Sequence, residues 1–192
     1  MTKIDVLDIE QYFGEMPISE AEKKRRIEFA KQMEELFIIL FVLMRNNEDY
    51  FDTSSIEQRV EDVFEDNGVE ISRTMSTLIK ERITDIVAIT QNHMDDDYYI
   101  SDDRATLLAE EETNTFLNRD AFDKAKQEGM TRKQWLTMKD NRVRTTHYDV
   151  DDEIIPIDED FVVGGCEMSF PRDTKGNPEE IAGCRCGIRF LP

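Results

Sequence analysis

Two short stretches near the end of the 192-residue chain hold side chains that could do chemistry: the first contains His147, and the second contains Cys184 and Cys186. Imidazole nitrogen and thiolate sulfur are typical zinc ligands, so the three residues predict a zinc site, with Cys166 as a candidate fourth ligand. The alternative is that Cys184 and Cys186 are buried thiols packed beside Trp135. A disulfide between them would be strained, because two residues this close on an extended segment lie near the limit of disulfide geometry.

Charged residues precede the histidine. Arg142 and Arg144 are two positions apart, so on a strand they would share a face and could hold a phosphate or a partner's carboxylates. They could instead form internal ion pairs with Asp140 and the acids at 149–153. We expect Asp140 to accept backbone N–H groups at a turn, or to pair with one arginine, rather than to act as a catalytic acid. Candidate contacts with DNA or a partner protein are Arg132, Lys133, Arg142 and Arg144.

The charge of the chain is strongly negative and unevenly spread. The formal net charge is -19, from 43 acidic and 24 basic residues, which disfavours binding of nucleic acid by the whole surface. Residues 1–118 contain 12 Lys and Arg against 28 Asp and Glu, whereas residues 119–144 contain 8 against 4. Any contact with a polyanion is therefore expected in the second window.

The three cysteines and the apolar segments indicate where the chain is made. An odd cysteine count does not suggest a secreted disulfide framework, and the first ten residues do not have a signal-peptide pattern. The apolar run Leu36–Met44 has nine residues, whereas a membrane span needs about 20. These features predict synthesis in a reducing cytoplasm and no membrane contact.

Apolar periodicity predicts an α+β fold, with about four helices followed by a small antiparallel β module packed on the last helix. The expected domains are an irregular arm (1–18), a helical region (19–100) and a terminal module (101–192) that joins a helix (101–128) to β structure (130–192). Predicted helices begin at Ser19, at a Ser54–Glu57 capping box, at Val69 and at Ser101. Predicted strands are 133–138, 153–157 and 185–191.

Two helical segments have unusual composition. The run 36–44 is apolar all round, so it should be buried either in the core or against a partner, as it would be in a helical adaptor protein. The acids Glu110, Glu111 and Glu112 point in different directions on a helix and cannot converge on one metal, which predicts a solvated face.

An ordered set of short motifs runs through the second half of the chain. The set consists of Arg104-Ala105, Ala109-Glu110-Glu111-Glu112-Thr113-Asn114, Lys133-x-Trp135-x-Thr137-x-x-Asp140-x-Arg142-x-Arg144-x-x-His147, Gly164-Gly165, Met168-x-Phe170-Pro171-x-Asp173 and Cys184-Arg185-Cys186. In this order the motifs resemble the phage Mu protein F-like family of minor head, or head morphogenesis, proteins. Two positions depart from the family pattern. Gly183 stands where the family usually has Asn, and Asp152 where it usually has Gly.

The resemblance implies a non-enzymatic virion protein present in few copies, inside the head near the portal. It would act in head assembly, or in DNA retention and ejection, with the portal and other head proteins as partners and packaged DNA as a further contact. Trp135 would anchor the core of the module, and no cofactor is required unless the zinc site forms. The alternatives are a metal-dependent nuclease or hydrolase that uses His147, Asp140 and the cysteines, or a helical adaptor.

Overall fold

A computed structural model describes residues 8–46 and 53–192, and confirms the predicted α+β fold class. The first residues of the predicted arm lie outside these ranges. The helices are α1 Ile9–Gly14, α2 Glu20–Asn46, α3 Ser54–Asp66, α4 Arg73–Gln91, α5 Asp102–Gln127, α6 Thr145–Tyr148 and α7 Pro178–Ile181, with a 3-10 turn at Asp97–Ile100. The strands are β1 Arg132–Leu136, β2 Ile154–Pro156, β3 Phe161–Val163, β4 Cys166–Met168 and β5 Gly187–Leu191.

The chain forms two compact units, and the boundaries between them fall within α2 and α5 rather than near residue 100. Unit 1 is Met1–Ile9 with Ile27–Thr113, and unit 2 is Glu10–Arg26 with Asn114–Pro192. By sequence, unit 1 has 8 basic and 24 acidic residues, whereas unit 2 has 16 and 19, so the negative charge belongs mainly to unit 1. None of the helices described here has the length and apolar content to cross a membrane.

The helices of unit 1 begin at polar caps, as the sequence predicts, with two shifts. Ser101 Oγ accepts the Arg104 N–H at 3.2 Å, so the predicted cap of α5 is confirmed. Helix α4 begins later than Val69 because Ser72 Oγ accepts the Met75 N–H at 3.1 Å and ends the preceding extended segment. Helix α3 begins at Ser54 and is preceded by Thr53, which makes no side-chain cap bond to the backbone; the Thr53 hydroxyl donates to the Glu57 carboxylate at 2.8 Å.

Unit 1 also buries charge. Glu110 and Glu112 are 2% and 0% exposed, so the prediction of a solvated acidic face is wrong. Arg82 binds Glu112 through two bonds of 2.9 and 2.6 Å, and this bidentate pair compensates the buried carboxylate. The sequence pattern could not reveal this pair, because its two members are 30 residues apart.

The apolar run on α2 is only half buried. Leu36, Phe37, Leu40, Phe41 and Met44 belong to the core, as one face of a helix would. The core therefore does not bury the whole run, and the alternative of burial against a partner stays a prediction. The opposite face carries exposed apolar side chains. They are Ile38, Ile39, Val42 and Leu43, at 36%, 40%, 53% and 42% exposure, and are called the α2 stripe below.

Unit 2 begins with α1, in a segment predicted to be an irregular arm. Tyr12, Phe13 and Met16 are at most 4% exposed and repeat at three- and four-residue intervals with Ile9, which is helical spacing. Gly14 is the last residue of this helix. A glycine so close to the apolar residues made the sequence resemble an irregular segment. For residues 9–14 the prediction of an irregular arm is therefore wrong.

The sheet of unit 2 has the order β2-β1-β5, and all pairs are antiparallel. The three strands correspond to the three predicted ones. On β1, Lys133 and Trp135 lie on the same buried face because strand side chains alternate. Trp135 pairs with Ile188 of β5 and packs edge-on against Phe161 at a ring-centroid distance of 5.3 Å.

A hairpin of β3 and β4 completes unit 2 and was not predicted. Gly164 and Gly165 connect the strands with φ of 57° and 82°, the two positive values that a two-residue hairpin turn of type I′ requires. The last part of α5 packs on this module through Phe122, whose ring lies 5.3 Å from that of Phe170. A buried Arg26 donates to Asn118 Oδ1 at 2.9 Å, joining the start of α2 to α5 within the unit.

Candidate functional site

Unit 2 brings His147, Cys184 and Cys186 together although 37 residues separate the histidine from the nearer cysteine. Their ligand atoms lie within 4.8 Å of one another, and all three side chains are buried. His147 Nδ1 is 3.3 Å from Cys186 Sγ and 3.7 Å from Cys184 Sγ. The predicted donor set therefore forms one cluster, called the NSS cluster below.

The histidine is oriented from its other ring nitrogen. His147 lies on the single turn of α6, and its Nε2 is 3.1 Å from Glu180 Oε2 on α7. Thr146 Oγ1 donates to the same oxygen at 2.8 Å. Because the carboxylate accepts from Nε2, the hydrogen resides there and Nδ1 is left to face the two sulfurs.

The cysteine segment is held by its backbone. The Cys184 carbonyl accepts from Tyr12 Oη and Asn114 Nδ2, each at 3.2 Å. The Ile181 carbonyl accepts from Arg172 Nη1 at 2.7 Å, and the Ala182 carbonyl accepts from Arg144. Donors from four separate places in unit 2 thus fix the backbone of this loop without any contribution from the sulfurs.

Gly183 explains one departure from the family pattern. Its φ is 63°, a left-handed conformation that Gly and Asn both tolerate. Asp152, at the position of the usual glycine, likewise has φ of 62°. Both substitutions preserve the turn, so the local geometry that these positions require is retained.

The three groups of the NSS cluster shift one another's protonation. A hydrogen bond from Cys186 lowers the pKa of Cys184 well below its usual value, against the effect of burial and with help from His147. The same bond and burial raise the pKa of Cys186. Burial lowers the pKa of His147, but the bond to Cys184 outweighs it, so that pKa is raised. These directions favour a thiolate at Cys184, a thiol at Cys186 and a His147 imidazole that holds its proton more tightly than a free one.

Trp135 forms one wall of the NSS cluster, as the alternative of two packed thiols also requires. Its ring lies edge-on to His147 at a centroid distance of 5.7 Å, and it is fully buried. Among the described residues its indole N–H has no well-aligned hydrogen-bond partner, but it lies close enough to Cys186 to oppose, without reversing, the rise in the pKa of that thiol. The position of Trp135 is compatible both with a zinc site and with two buried thiols packed against the indole.

Asp140 is engaged by Arg185, a partner that the sequence did not indicate. Asp140 Oδ2 accepts from Arg185 Nη2 at 2.6 Å, and Oδ1 accepts the Arg142 backbone N–H at 2.9 Å, as predicted for a turn. Burial opposes ionisation, but Arg185 and that N–H outweigh it and lower the pKa of Asp140. Glu15 adds charge to the group, at 3.7 Å from Arg142 and 3.8 Å from Arg185.

The two arginines of the motif do not share a strand face. Residues 140–144 form a turn that leads into α6, so alternation does not apply to them. The Arg142 guanidinium is half exposed beside Asp140, whereas Arg144 reaches the carbonyl of Ala182. The alternatives were a shared grip on a phosphate or partner and internal ion pairs. Arg142 forms an internal ion pair in part, and Arg144 instead donates to a backbone carbonyl.

Two other residues predicted for the site, the metal-ligand candidate Cys166 and the DNA-contact candidate Lys133, do not take the predicted positions. Cys166 is on β4 and is not among the converging ligand atoms, so it is not a fourth ligand in this structure. Lys133 is fully buried, and its Nζ donates to the Ser169 carbonyl at 2.8 Å, so it cannot reach DNA or a partner. Arg132, on the opposite face of β1, remains exposed.

The basic window 119–144 is largely neutralised by its own neighbours. Arg119 pairs with Asp123 at 2.8 Å, and Lys126 pairs with Asp158 at 2.6 Å. Other pairs are Lys124 with Asp120 at 2.9 Å and Lys139 with Asp152 at 2.5 Å. The positive window is consequently a weaker attraction for a polyanion than its formal charge indicates.

A comparison with protein-family models matches residues 54–189, more than two thirds of the chain, to the family described as phage Mu protein F like protein. The chain belongs to the phage Mu protein F-like family. This confirms the resemblance in the motifs and extends it from Arg104 back to the start of α3. Comparisons with curated proteins and with solved structures give no match. As a phage Mu F-like protein, the chain is a bacteriophage head morphogenesis protein.

Proposed function

We propose that this protein is a minor head component that docks at the portal inside the phage head and acts in head assembly and in DNA retention or ejection. The observation that carries the proposal is the family match over residues 54–189. A position at the portal and a part in DNA handling require a surface that binds other head proteins.

The α2 stripe is the surface we assign to the portal. Four apolar side chains on one exposed helix face form a contiguous contact area of the kind that protein partners cover. The surrounding unit carries 24 acidic residues against 8 basic ones. Charge complementarity therefore favours a partner surface that is apolar at its centre and basic at its rim.

Co-purification with the portal protein of the same phage tests this assignment. We expect the full-length chain and the portal protein to co-elute after co-expression, and Val42→Glu to reduce the recovered portal at least tenfold. Val162→Glu is the matched control, because Val162 is also an exposed valine but lies in unit 2. Absence of portal binding by the wild-type chain, or equal recovery with both variants, would contradict the assignment.

Packaged DNA is a secondary contact in this proposal. The exposed cations considered for it are Arg132 and Arg142, although Arg142 lies beside Asp140 and Glu15. Lys133 is buried, and Arg119, Lys124, Lys126 and Lys139 pair with acids. With a net charge of -19, we expect weak binding that disappears as salt rises. Fluorescence anisotropy with duplex DNA at low and physiological salt measures this directly.

A metal-dependent nuclease or hydrolase is the second candidate, and the observation that favours it is the NSS cluster. Asp140 is a poor general base in this arrangement, because Arg185 and a backbone N–H already occupy its two oxygens. Incubation of DNA with the protein and Mg²⁺, Mn²⁺ or Zn²⁺ separates the candidates. The structural role predicts no cleavage above background, whereas cleavage that His147→Ala abolishes would establish the hydrolase.

A further inference from the structure

We propose that the NSS cluster binds one Zn²⁺ through His147 Nδ1 and the sulfurs of Cys184 and Cys186, with water as the fourth ligand. The site would tie α6 to the segment that leads directly into β5. The site lies within unit 2 alone, and its formation does not depend on where the protein docks.

The spacing of the donor atoms fits a tetrahedral ion. Zn–S and Zn–N bonds of about 2.3 and 2.0–2.1 Å place a nitrogen and a sulfur about 3.5 Å apart on a tetrahedron. The two N–S distances of 3.3 and 3.7 Å lie on either side of that value. All three donor atoms fall within 4.8 Å of one another, so they can reach one centre with little movement.

The charges also balance. Two thiolates and one divalent cation make a neutral group, which suits side chains that are 1% to 2% exposed. Among common divalent ions, a nitrogen and two sulfurs select zinc over magnesium or calcium, which require oxygen ligands. Without a cation, the same three side chains cannot all adopt their ligand forms, because two adjacent buried thiolates repel each other.

The surroundings of His147 are those of a metal ligand. Metal-bound histidines almost always donate their other ring N–H to a carboxylate or carbonyl, and Glu180 occupies that position at 3.1 Å. Thr146 in turn donates to Glu180, so the carboxylate is itself held. This second layer of contacts distinguishes the cluster from a chance meeting of three buried side chains.

A small cavity provides room for the fourth ligand. It measures about 10 Å³, and its lining includes His147, Cys184 and Cys186 together with Met138 and Val143. That is close to the volume needed for one water molecule. Cys166 is absent from the cluster, so water rather than a fourth protein ligand completes the proposed coordination.

Metal analysis of the full-length chain, purified untagged under reducing conditions, tests the proposal. We expect about one zinc per chain, and a Co²⁺-substituted protein with the thiolate-to-cobalt absorption and visible bands of a tetrahedral site. Cys184→Ser and Cys186→Ser should each lose the metal. Cys166→Ser is the matched control, since it removes a cysteine outside the cluster, and should retain both signals.

Glu180→Gln gives a readout that does not require removal of a ligand. It should weaken zinc 10- to 100-fold in competition with a chromophoric chelator, as loss of an orienting carboxylate does at other sites. Folded wild-type chain that binds neither zinc nor cobalt through thiolate would overturn the proposal. So would a Cys184–Cys186 disulfide found by thiol counting in the reduced-buffer preparation, or equal zinc affinity of wild type and Glu180→Gln.

Discussion

Gly164 lies directly against Glu180, and a Cβ built on Gly164 would stand 2.0 Å from the Glu180 Oε1 atom. The turn between β3 and β4 therefore sets the position of the carboxylate that orients His147. A glycine is required here for two reasons, the positive φ of 57° and the lack of space for a side chain. This contact links the glycine pair of the family motif to its histidine.

We predict that Gly164→Ala destabilises unit 2 more than Gly165→Ala does. Both residues have positive φ, but nothing lies within 4 Å of a Cβ at Gly165, so that variant reports the backbone cost alone, about 1 kcal/mol. Gly164→Ala also displaces the Glu180 carboxylate from His147 and Thr146, which adds about 1 kcal/mol for the hydrogen bonds lost. Urea unfolding measures both, and equal losses would show that the Gly164–Glu180 contact does not constrain the fold.

The Asp140–Arg185 pair should make stability depend on acid pH. Because the pKa of Asp140 is lowered in the folded state, its stabilising contribution is complete above the ordinary carboxyl pKa of about 3.9 and is lost as pH falls through the folded value. We expect Asp140→Asn to cost about 1–2 kcal/mol at pH 7, with the difference shrinking below pH 4. Denaturant unfolding at pH 7, 5 and 3.5 tests this, and a pH-independent difference would exclude the charged pair.

Lys133 should produce a trend of the same sign at alkaline pH, with stability rising as pH rises. Burial lowers its pKa from 10.5 to about 8, so the folded state loses this proton before the unfolded state does. Stability relative to Lys133→Met should therefore rise as pH increases from about 8 towards 10.4, the range in which the unfolded chain still holds the proton. Unfolding of both proteins at pH 7, 8.5 and 9.5 gives the slope, and a flat or falling difference would show that the ammonium is not desolvated.

Asp152 offers a test of the second departure from the family pattern. Its φ of 62° is tolerated by Asp but strongly disfavours β-branched residues. We predict that Asp152→Val costs about 1–2 kcal/mol and that Asp152→Gly is close to neutral, because glycine relieves the strain while losing an exposed ion pair to Lys139. Glu159→Val serves as control, since Glu159 is exposed with negative φ. A loss as large in the control would attribute the effect to surface valine alone.

The helices and the three-stranded sheet could be predicted because caps and periodicity are local signals. Ser101, for example, caps α5 where the sequence places it. The burial of Lys133 was also readable, since it is two residues from Trp135 on a strand and must share its face. The charge of Lys133 favours a surface contact, but the alternation of side chains along β1 places it on the buried face.

Pairings distant in sequence could not be predicted. Glu180 approaches His147 only because α6 and α7 meet in the folded unit, and no pattern in one sequence connects the two residues. The contact between Arg185 and Asp140 could not be predicted for a related reason. The cysteines on either side of Arg185 indicate metal binding, whereas the Arg185 side chain itself binds the distant Asp140. The hairpin of β3 and β4 has strands of three residues, too short for alternation to be distinguished from loop.

Cryo-electron microscopy of assembled heads, with and without this protein, tests the central claim most directly. The proposed function predicts density at the inner face of the portal that accommodates the two units and disappears from heads that lack the protein. Wild-type heads with no such density, and with no copies of the chain detectable by mass spectrometry at any stage of assembly, would contradict it.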